Sequence, residues 1–349
     1  MNSSLNLKSR RKRFHRPIAV TAASVIAVLV VPVGASAKNA AADGVRAELK
    51  RGTLQVRGGD GGQRVALRLQ AGDASRIQVD AGDDGSADFS FARDDIGTIK
   101  VRMGDGNDFA RIDDANGAFT DSIATTLAGG DGNDSLEGGQ VQVAAENETF
   151  KGGDGNDAVD GGKGNDAASL GDGNDTFRWD NGEGSDVIEG QDGADTMLFN
   201  GAAASETVTM TANAGRLRFF RVQGNVTMDT DGVETVDFNA LNGTDTVTVN
   251  DLTGTDVTRT NIDLAANLGG NLGDGNAENV IVGGTAGDDD ITVTGNGSGA
   301  DVTGLTTAVS VKHADPTDTL SVNTLGGTDN VLVNGVAGLL QVLVDGAPA

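Results

Sequence analysis

Carboxylates recur at one fixed place in glycine-rich turns through the middle of this 349-residue chain. A six-residue frame with Gly at its fourth place and Asp at its sixth occurs at 103–108, 129–134, 152–157, 161–166, 170–175, 181–186 and 190–195. The frames end at Asp108, Asp134, Asp157, Asp166, Asp175, Asp186 and Asp195. Glycine reaches left-handed backbone angles where a Cβ would clash, so Gly152, Gly155, Gly161, Gly164 and Gly173 are expected to aim carbonyl oxygens inward. The sixth-place Asp adds a carboxylate as the chain leaves the turn. Carbonyls and carboxylates offer only oxygen, and a hard cation such as Ca²⁺ takes six to eight oxygens. This zone has no His and no Cys, which argues against zinc or copper.

The spacing says how the turns must be carried. Successive frame aspartates lie 26, 23, 9, 9, 11 and 9 residues apart. Nine residues suffice for a turn and a three-residue strand that sends one side chain inward, here Leu136, Val159, Phe177 and Ile188. If two such units make one coil, turns 18 residues apart stack. Asp157, Asp175 and Asp195 then line one edge, and Asp166 and Asp186 the other. The two extra residues between Asp175 and Asp186 must bulge out or lengthen a strand near Phe177-Arg178-Trp179. The turns ending at Asp108 and Asp134 have no partner 18 residues away, so this spacing does not support sites there.

Residues 152–166 match the nonapeptide Gly-Gly-x-Gly-x-Asp-x-U-x without a break. Over roughly 101–200 the chain resembles the RTX (repeats-in-toxin, haemolysin-type) calcium-binding family of secreted bacterial proteins. The resemblance implies a parallel β-roll with Ca²⁺ held between turns by sixth-place aspartates and backbone carbonyls. Met103, Leu170 and Asn181 depart from it in place of the first Gly, Gln191 in place of the second, and Ala168 is a small inward residue.

The surrounding elements suit such turns. With 53 Gly, 4 Pro and aromatics at 3 %, the core must be thin and built from Val, Ile, Leu and Ala. The expected fold is all-β: a parallel β-roll or β-solenoid with Gly-Asp-rich calcium-binding turns, preceded by short antiparallel strands. The chain divides into four zones. Residues 1–37 read as a signal peptide, with basic Lys8–Arg13, apolar Ile18–Val33 and the small-residue site Ala35-Ser36-Ala37. Residues 38–100 alternate polar and apolar between Gly-Asp turns, 101–200 hold the calcium-binding frames, and 201–349 read as degenerate solenoid repeats. Within the last zone Gly243-Thr244-Asp245, Gly254-Thr255-Asp256, Gly287-Asp288-Asp289 and Gly327-Thr328-Asp329 keep a Gly-x-Asp core, whereas 272–277 has lost its Asp.

Charge and absences narrow the function. The formal charge is −25, and the first 37 residues carry six of the 26 basic residues and no acidic one. The remaining polyanion repels nucleic acid and anionic lipid and attracts cations. No cysteine is available for disulfides, so an exported chain needs another source of order. Beyond residue 37 the only His is His313, expected in a solvated turn, and no His-Glu-x-x-His, Gly-x-Ser-x-Gly or Cys nucleophile occurs. The leading expectation is a secreted, non-catalytic protein that binds calcium ions, folds on Ca²⁺ outside the cell and makes no stable membrane insertion after signal removal. The alternatives are a cell-surface or matrix adhesin facing cell-wall or extracellular glycans, and a Ca²⁺-dependent β-helix polysaccharide lyase.

Overall fold

Runs in which every second residue is apolar, separated by Gly-rich turns too short for a helical crossover, lead to short strands. The computed structural model describes residues 44–141 and 147–349, so the signal-peptide reading of 1–37 lies outside the described residues. The chain is all-β. Among the described residues the helical segments are three single 3₁₀ turns, Arg93–Asp95, Asp114–Asn116 and Gln223–Asn225, and no helix is long and apolar enough to cross a membrane.

The described strands belong to two long sheets of 15 and 14 strands. In the frame zone the chain alternates between them. The first sheet takes Thr98–Asp105, Ala124–Asp131, Glu148–Asp154, Ala167–Gly173 and Val187–Gly193, and the second takes Phe109–Asp113, Ser135–Glu137, Ala158–Asp160, Thr176–Trp179 and Thr196–Asn200. Each strand pairs in parallel with the strand two earlier. Parallel neighbours need a connection that returns to the same end, and here the other sheet's strand supplies it. This arrangement is compatible with a solenoid or roll.

Antiparallel strands do precede the frames, as Arg46–Lys50 with Thr53–Arg57 and as Arg64–Gln70, Asp73–Ala81 and Phe89–Ala92. They are not separate from the frame zone. Thr53–Arg57 and Arg64–Gln70 also pair in parallel with Thr98–Asp105 and Phe109–Asp113, so they end the same two sheets. Both sheets also continue through 201–349, where two inserted antiparallel units interrupt the alternation. These are Thr207–Asn213, Arg216–Arg221 and Val226–Asp231 in the first sheet, and Asp290–Gly295, Ala300–Thr303 and Ala308–Lys312 in the second.

One continuous apolar cluster runs through the molecule. Leu136, Val159, Phe177, Met197 and Val236 stack in register, as do Phe150, Ala168 and Ile188. All are buried. Trp179 stacks on Phe199 with centroids 3.9 Å apart, and Phe219 and Phe238 pack beside them. Elsewhere the core is thin: from 158 to 175 the buried apolar side chains are Val159, Ala168 and Leu170. At about 1.5–3 kcal/mol for a fully buried Val or Leu, a coil draws little from its interior, which leaves the turns to decide whether it forms.

Candidate metal centre

The frame glycines have two separate reasons to lack a side chain. The second places, and the fourth places of every frame except 181–186, are left-handed, with φ +131° at Gly153 and Gly155, +136° at Gly164 and +147° at Gly173. Turns also stack so closely that a Cβ on Gly173 would lie 1.8 Å from the carbonyl oxygen of Gly155. The first-place Gly152 and Gly161, expected to be left-handed, are not. A Cβ on Gly152 would lie 2.1 Å from the carbonyl oxygen of Leu170 and 2.3 Å from Oδ2 of Asp157, so this glycine makes room both for the stacked coil and for the carboxylate of its own frame. Where Met103 or Leu170 takes the first place, the side chain enters the core.

The sixth-place aspartates form two rows. The first lies where the chain passes from the first sheet to the second. There the backbone N–H of Asp108 donates to Oδ1 of Asp134 (2.8 Å), that of Asp134 to Asp157 (2.8 Å), that of Asp157 to Asp175 (2.7 Å) and that of Asp175 to Asp195 (2.9 Å). The second lies where the chain passes back, and the N–H of Asp166 donates to Oδ1 of Asp186 (2.8 Å). The structure thus separates the aspartates onto two edges as the 18-residue coil requires. It also brings in Asp108 and Asp134, which that spacing left without partners, because longer excursions return to the same register. Between Asp175 and Asp186 both expected accommodations occur. The strand Thr176–Trp179 is one residue longer than Ala158–Asp160, and a turn comes next in which the N–H of Glu183 donates to the carbonyl of Asp180.

A second ladder, not foreseen in the sequence, runs beside the first row. Oδ1 of each fifth-place Asn accepts the fifth-place N–H of the next coil, from Asn107 to residue 133, Asn133 to 156, Asn156 to 174 and Asn174 to 194. Asparagine reaches forward along the stack and aspartate reaches back, so each turn is fixed from both sides.

Each aspartate uses one oxygen in this way, and the other has no partner. Oδ2 of Asp108, Asp134, Asp157, Asp166, Asp175, Asp186 and Asp195 is buried without a hydrogen bond. Buried polar atoms are almost always satisfied, and an unpaired charge is the most costly exception. This chain satisfies other buried carboxylates: Asp80 accepts from Arg68 (2.7 Å) and from the N–H groups of residues 84 and 85. In the rows, burial raises the carboxyl pKa, with repulsion between neighbouring carboxylates added at most positions. The value reaches about 6 for Asp134 and Asp195 and about 7 for Asp157 and Asp186, and burial with Asp186 and Glu148 beside it pushes Asp166 up as well. Asp108 and Asp175 shift the same way. A proton, a cation or a further hydrogen-bond donor relieves such oxygens, and rows of carboxylates offer the oxygen ligands that a hard cation takes.

Four glutamates extend the rows beyond the Asp frames. In the first, the N–H of Asp195 donates to Oε2 of Glu234 (2.7 Å). In the second, Glu148 precedes Asp166, its N–H donating to Oδ1 of Asp166 (2.6 Å). Past the inserted strands that row resumes as Glu206, Asp245, Glu278 and Asp318, with the N–H of Glu206 on Oδ1 of Asp245 (2.7 Å) and that of Glu278 on Oδ1 of Asp318 (3.1 Å). The frame at 272–277 has therefore not lost its carboxylate, which moves one residue on to Glu278. At the interruption the chain supplies its own cation. The guanidinium of Arg221, on the inserted strand Arg216–Arg221, is buried against Glu206 and donates to Oδ1 of Asn181 in the turn of Asp186 (3.1 Å).

Outside the rows, Asp160, Asp180 and Glu183 form an acidic cluster that could hold a metal ion. Arg178 pairs with Asp160 and lies 3.6 Å from Asp180, and with Asp160 it lines a groove of about 250 Å³ on the second sheet. His313 is more engaged than a solvated turn implies, its Nδ1 lying 2.7 Å from Oδ1 of Asp263. No family model, curated protein or solved structure matches this chain.

Proposed function

We propose that this chain is a secreted, non-catalytic calcium-binding repeat protein whose two sheets are the walls of a parallel β-roll that orders when Ca²⁺ enters its acidic turns. One observation carries the reading: all seven frame aspartates keep a buried, unpartnered Oδ2, aligned along two edges. The aspartates and glutamates of the rows, with the turn carbonyls, would hold the ions. Bound Ca²⁺ supplies the positive charge that lets these carboxylates stay ionised and buried side by side. Extracellular calcium modules bind at about 10⁻⁴–10⁻³ M, a range that leaves such a chain loose in the cytosol and folded outside.

The test is circular dichroism of the full chain during titration with Ca²⁺ and, separately, Mg²⁺. A coil-to-β transition near millimolar Ca²⁺, absent with Mg²⁺, is the expected result. An unchanged β spectrum in chelator would overturn the ion-dependent fold. Adhesion is the second reading, favoured by the groove beside Arg178, where glycan hydroxyls would find carboxylate and guanidinium partners. Retention of the protein on purified cell wall or glycans, lost in Arg178→Ala, would support it.

A further inference from the structure

Basic side chains gather on one face of the first sheet, against the net charge of the chain. The strands Arg46–Lys50, Thr53–Arg57, Thr98–Asp105, Ala124–Asp131 and Glu148–Asp154 alternate buried and outward residues as far as the frame glycines. Their outward side carries Arg46, Lys50, Arg57, Lys100, Arg102 and Lys151, all exposed, and one acid, Glu48. The register sets three arginines side by side, Arg46 opposite Arg57 and Arg57 opposite Arg102. The same line runs on through Ala128 to Lys151. At about 4.8 Å per strand it is about 19 Å long.

Like charges directly opposite one another on a sheet are unfavourable. Elsewhere in the two sheets Arg68, Arg111, Arg178, Arg216 and Arg221 each lie against a carboxylate. On this face Lys50 pairs with Glu48, and Arg57 donates to Gln55. Among the described residues Arg46, Lys100, Arg102 and Lys151 make no ion pair. Between Arg46, Lys50 and Arg57 lies a groove of about 290 Å³. The anions that such a face lacks must come from a partner.

The surroundings select that partner. Exposed Asp105, Asp131 and Asp154 follow the frame glycines at the border, so a broad anionic surface such as a membrane would meet this acidic edge as well. No aromatic side chain stands on the outward side of these strands, so nucleic-acid bases find no platform on which to stack. A narrow chain bearing carboxylates fits better. Guanidinium groups take carboxylates through paired hydrogen bonds, and Thr53, Thr98 and Thr126 lie among the cations to meet hydroxyl groups.

We propose that this face binds an acidic polysaccharide, with its carboxylates on Arg46, Arg57 and Arg102 and its chain running across the strands towards Lys151. The face lies on the other sheet from the groove beside Arg178 and uses none of the row carboxylates, so the proposal does not rest on the calcium reading.

The test measures binding of the full chain to immobilised hyaluronate, a linear uronate polymer, in Ca²⁺. Dextran, vesicles of phosphatidylserine with phosphatidylcholine, and single-stranded DNA serve as comparison ligands. Wild type should prefer hyaluronate, with affinity falling as salt rises. Arg57→Gln combined with Arg102→Gln should weaken it roughly tenfold. Arg259→Gln combined with Lys312→Gln makes the same change in net charge at exposed positions of the second sheet and should leave binding unchanged. Circular dichroism of each variant verifies the fold. Undiminished binding by the arginine variant would mean that Ca²⁺ bridges polymer and acidic turns, and would overturn the proposal. Equal binding to dextran, tighter binding to the vesicles or the DNA, or no binding at all would also overturn it. Repeating the measurement in chelator separates the two proposals: a chain that stays folded there and still binds hyaluronate would keep this face while the calcium reading fell.

Discussion

At the scale of single residues, the rows make neutral and charged side chains trade places according to the ion. Asp175→Asn keeps the Oδ1 that accepts from Asp157 and replaces the unpartnered Oδ2 with a neutral amide. In chelator this variant should be more stable than wild type, because a buried charge without a counter-charge costs more than a neutral amide, and in saturating Ca²⁺ it should be less stable. Thermal melts in the two media check for that reversal. Glycine positions separate in the same way. Gly173→Ala meets both a left-handed φ and the carbonyl of Gly155, whereas Gly254→Ala, at φ +91°, has open space around its Cβ. The first should cost several-fold more than the roughly 1–2 kcal/mol of backbone strain expected for the second, measured by denaturant unfolding in Ca²⁺. The seven frame aspartates of the rows are legible in the sequence because their frame repeats, whereas Asp318 lies in no frame. The glutamates are not: Glu148, Glu206, Glu234 and Glu278 reach the same register from different local sequences, their longer side chains absorbing the difference.

At the scale of elements, the inserted antiparallel strands hide the continuation of the stack. The coil is plain where frames lie nine residues apart, but Glu206 and Asp245 are 39 apart, and Glu278 and Asp318 are 40 apart. No short period survives such insertions, although each Gly-x-Asp remnant marks a turn, and strands do come after them at Thr246–Val249, Asp290–Gly295 and Asn330–Asn334. The strand Arg216–Arg221 contributes more than pairing, because Arg221 is the fixed cation of its rung. Arg221→Met leaves the Glu206 charge buried without its cation and should cost about 3–5 kcal/mol, while adding Glu206→Gln should recover most of the loss. Denaturant unfolding at constant Ca²⁺ measures the double-mutant cycle. An additive outcome would mean that the pair is not the reason for the loss.

For the whole molecule, proton and calcium compete for the same oxygens. A carboxyl whose folded pKa lies above its unfolded value, about 4, stabilises the fold while protonated. That contribution is complete below the unfolded value and is lost as pH rises through about 6 for Asp134 and Asp195 and about 7 for Asp157 and Asp186. The ion-free chain should therefore gain β structure as pH falls from about 7 to 4. The Ca²⁺ concentration needed for folding should fall over the same window, because protons already neutralise part of the rows, while the folded chain's own affinity for Ca²⁺ weakens. Circular dichroism in chelator, and Ca²⁺ titrations at several pH values, test both slopes, and a pH-independent spectrum would contradict them.

The stacked aromatic pair has an optical consequence. Trp179 is the only tryptophan of the chain, and its Nε1–H donates to the carbonyl of Gly184 (2.9 Å), in the turn that ends at Asp186. Its emission therefore reports on one rung of the second row, whereas far-ultraviolet dichroism averages over every strand. Because each coil touches mainly its neighbours, the two signals need not move together. Coincident midpoints along a Ca²⁺ titration would make the molecule a single all-or-none switch. Separate midpoints would make it a graded device that lengthens coil by coil as the ion concentration climbs.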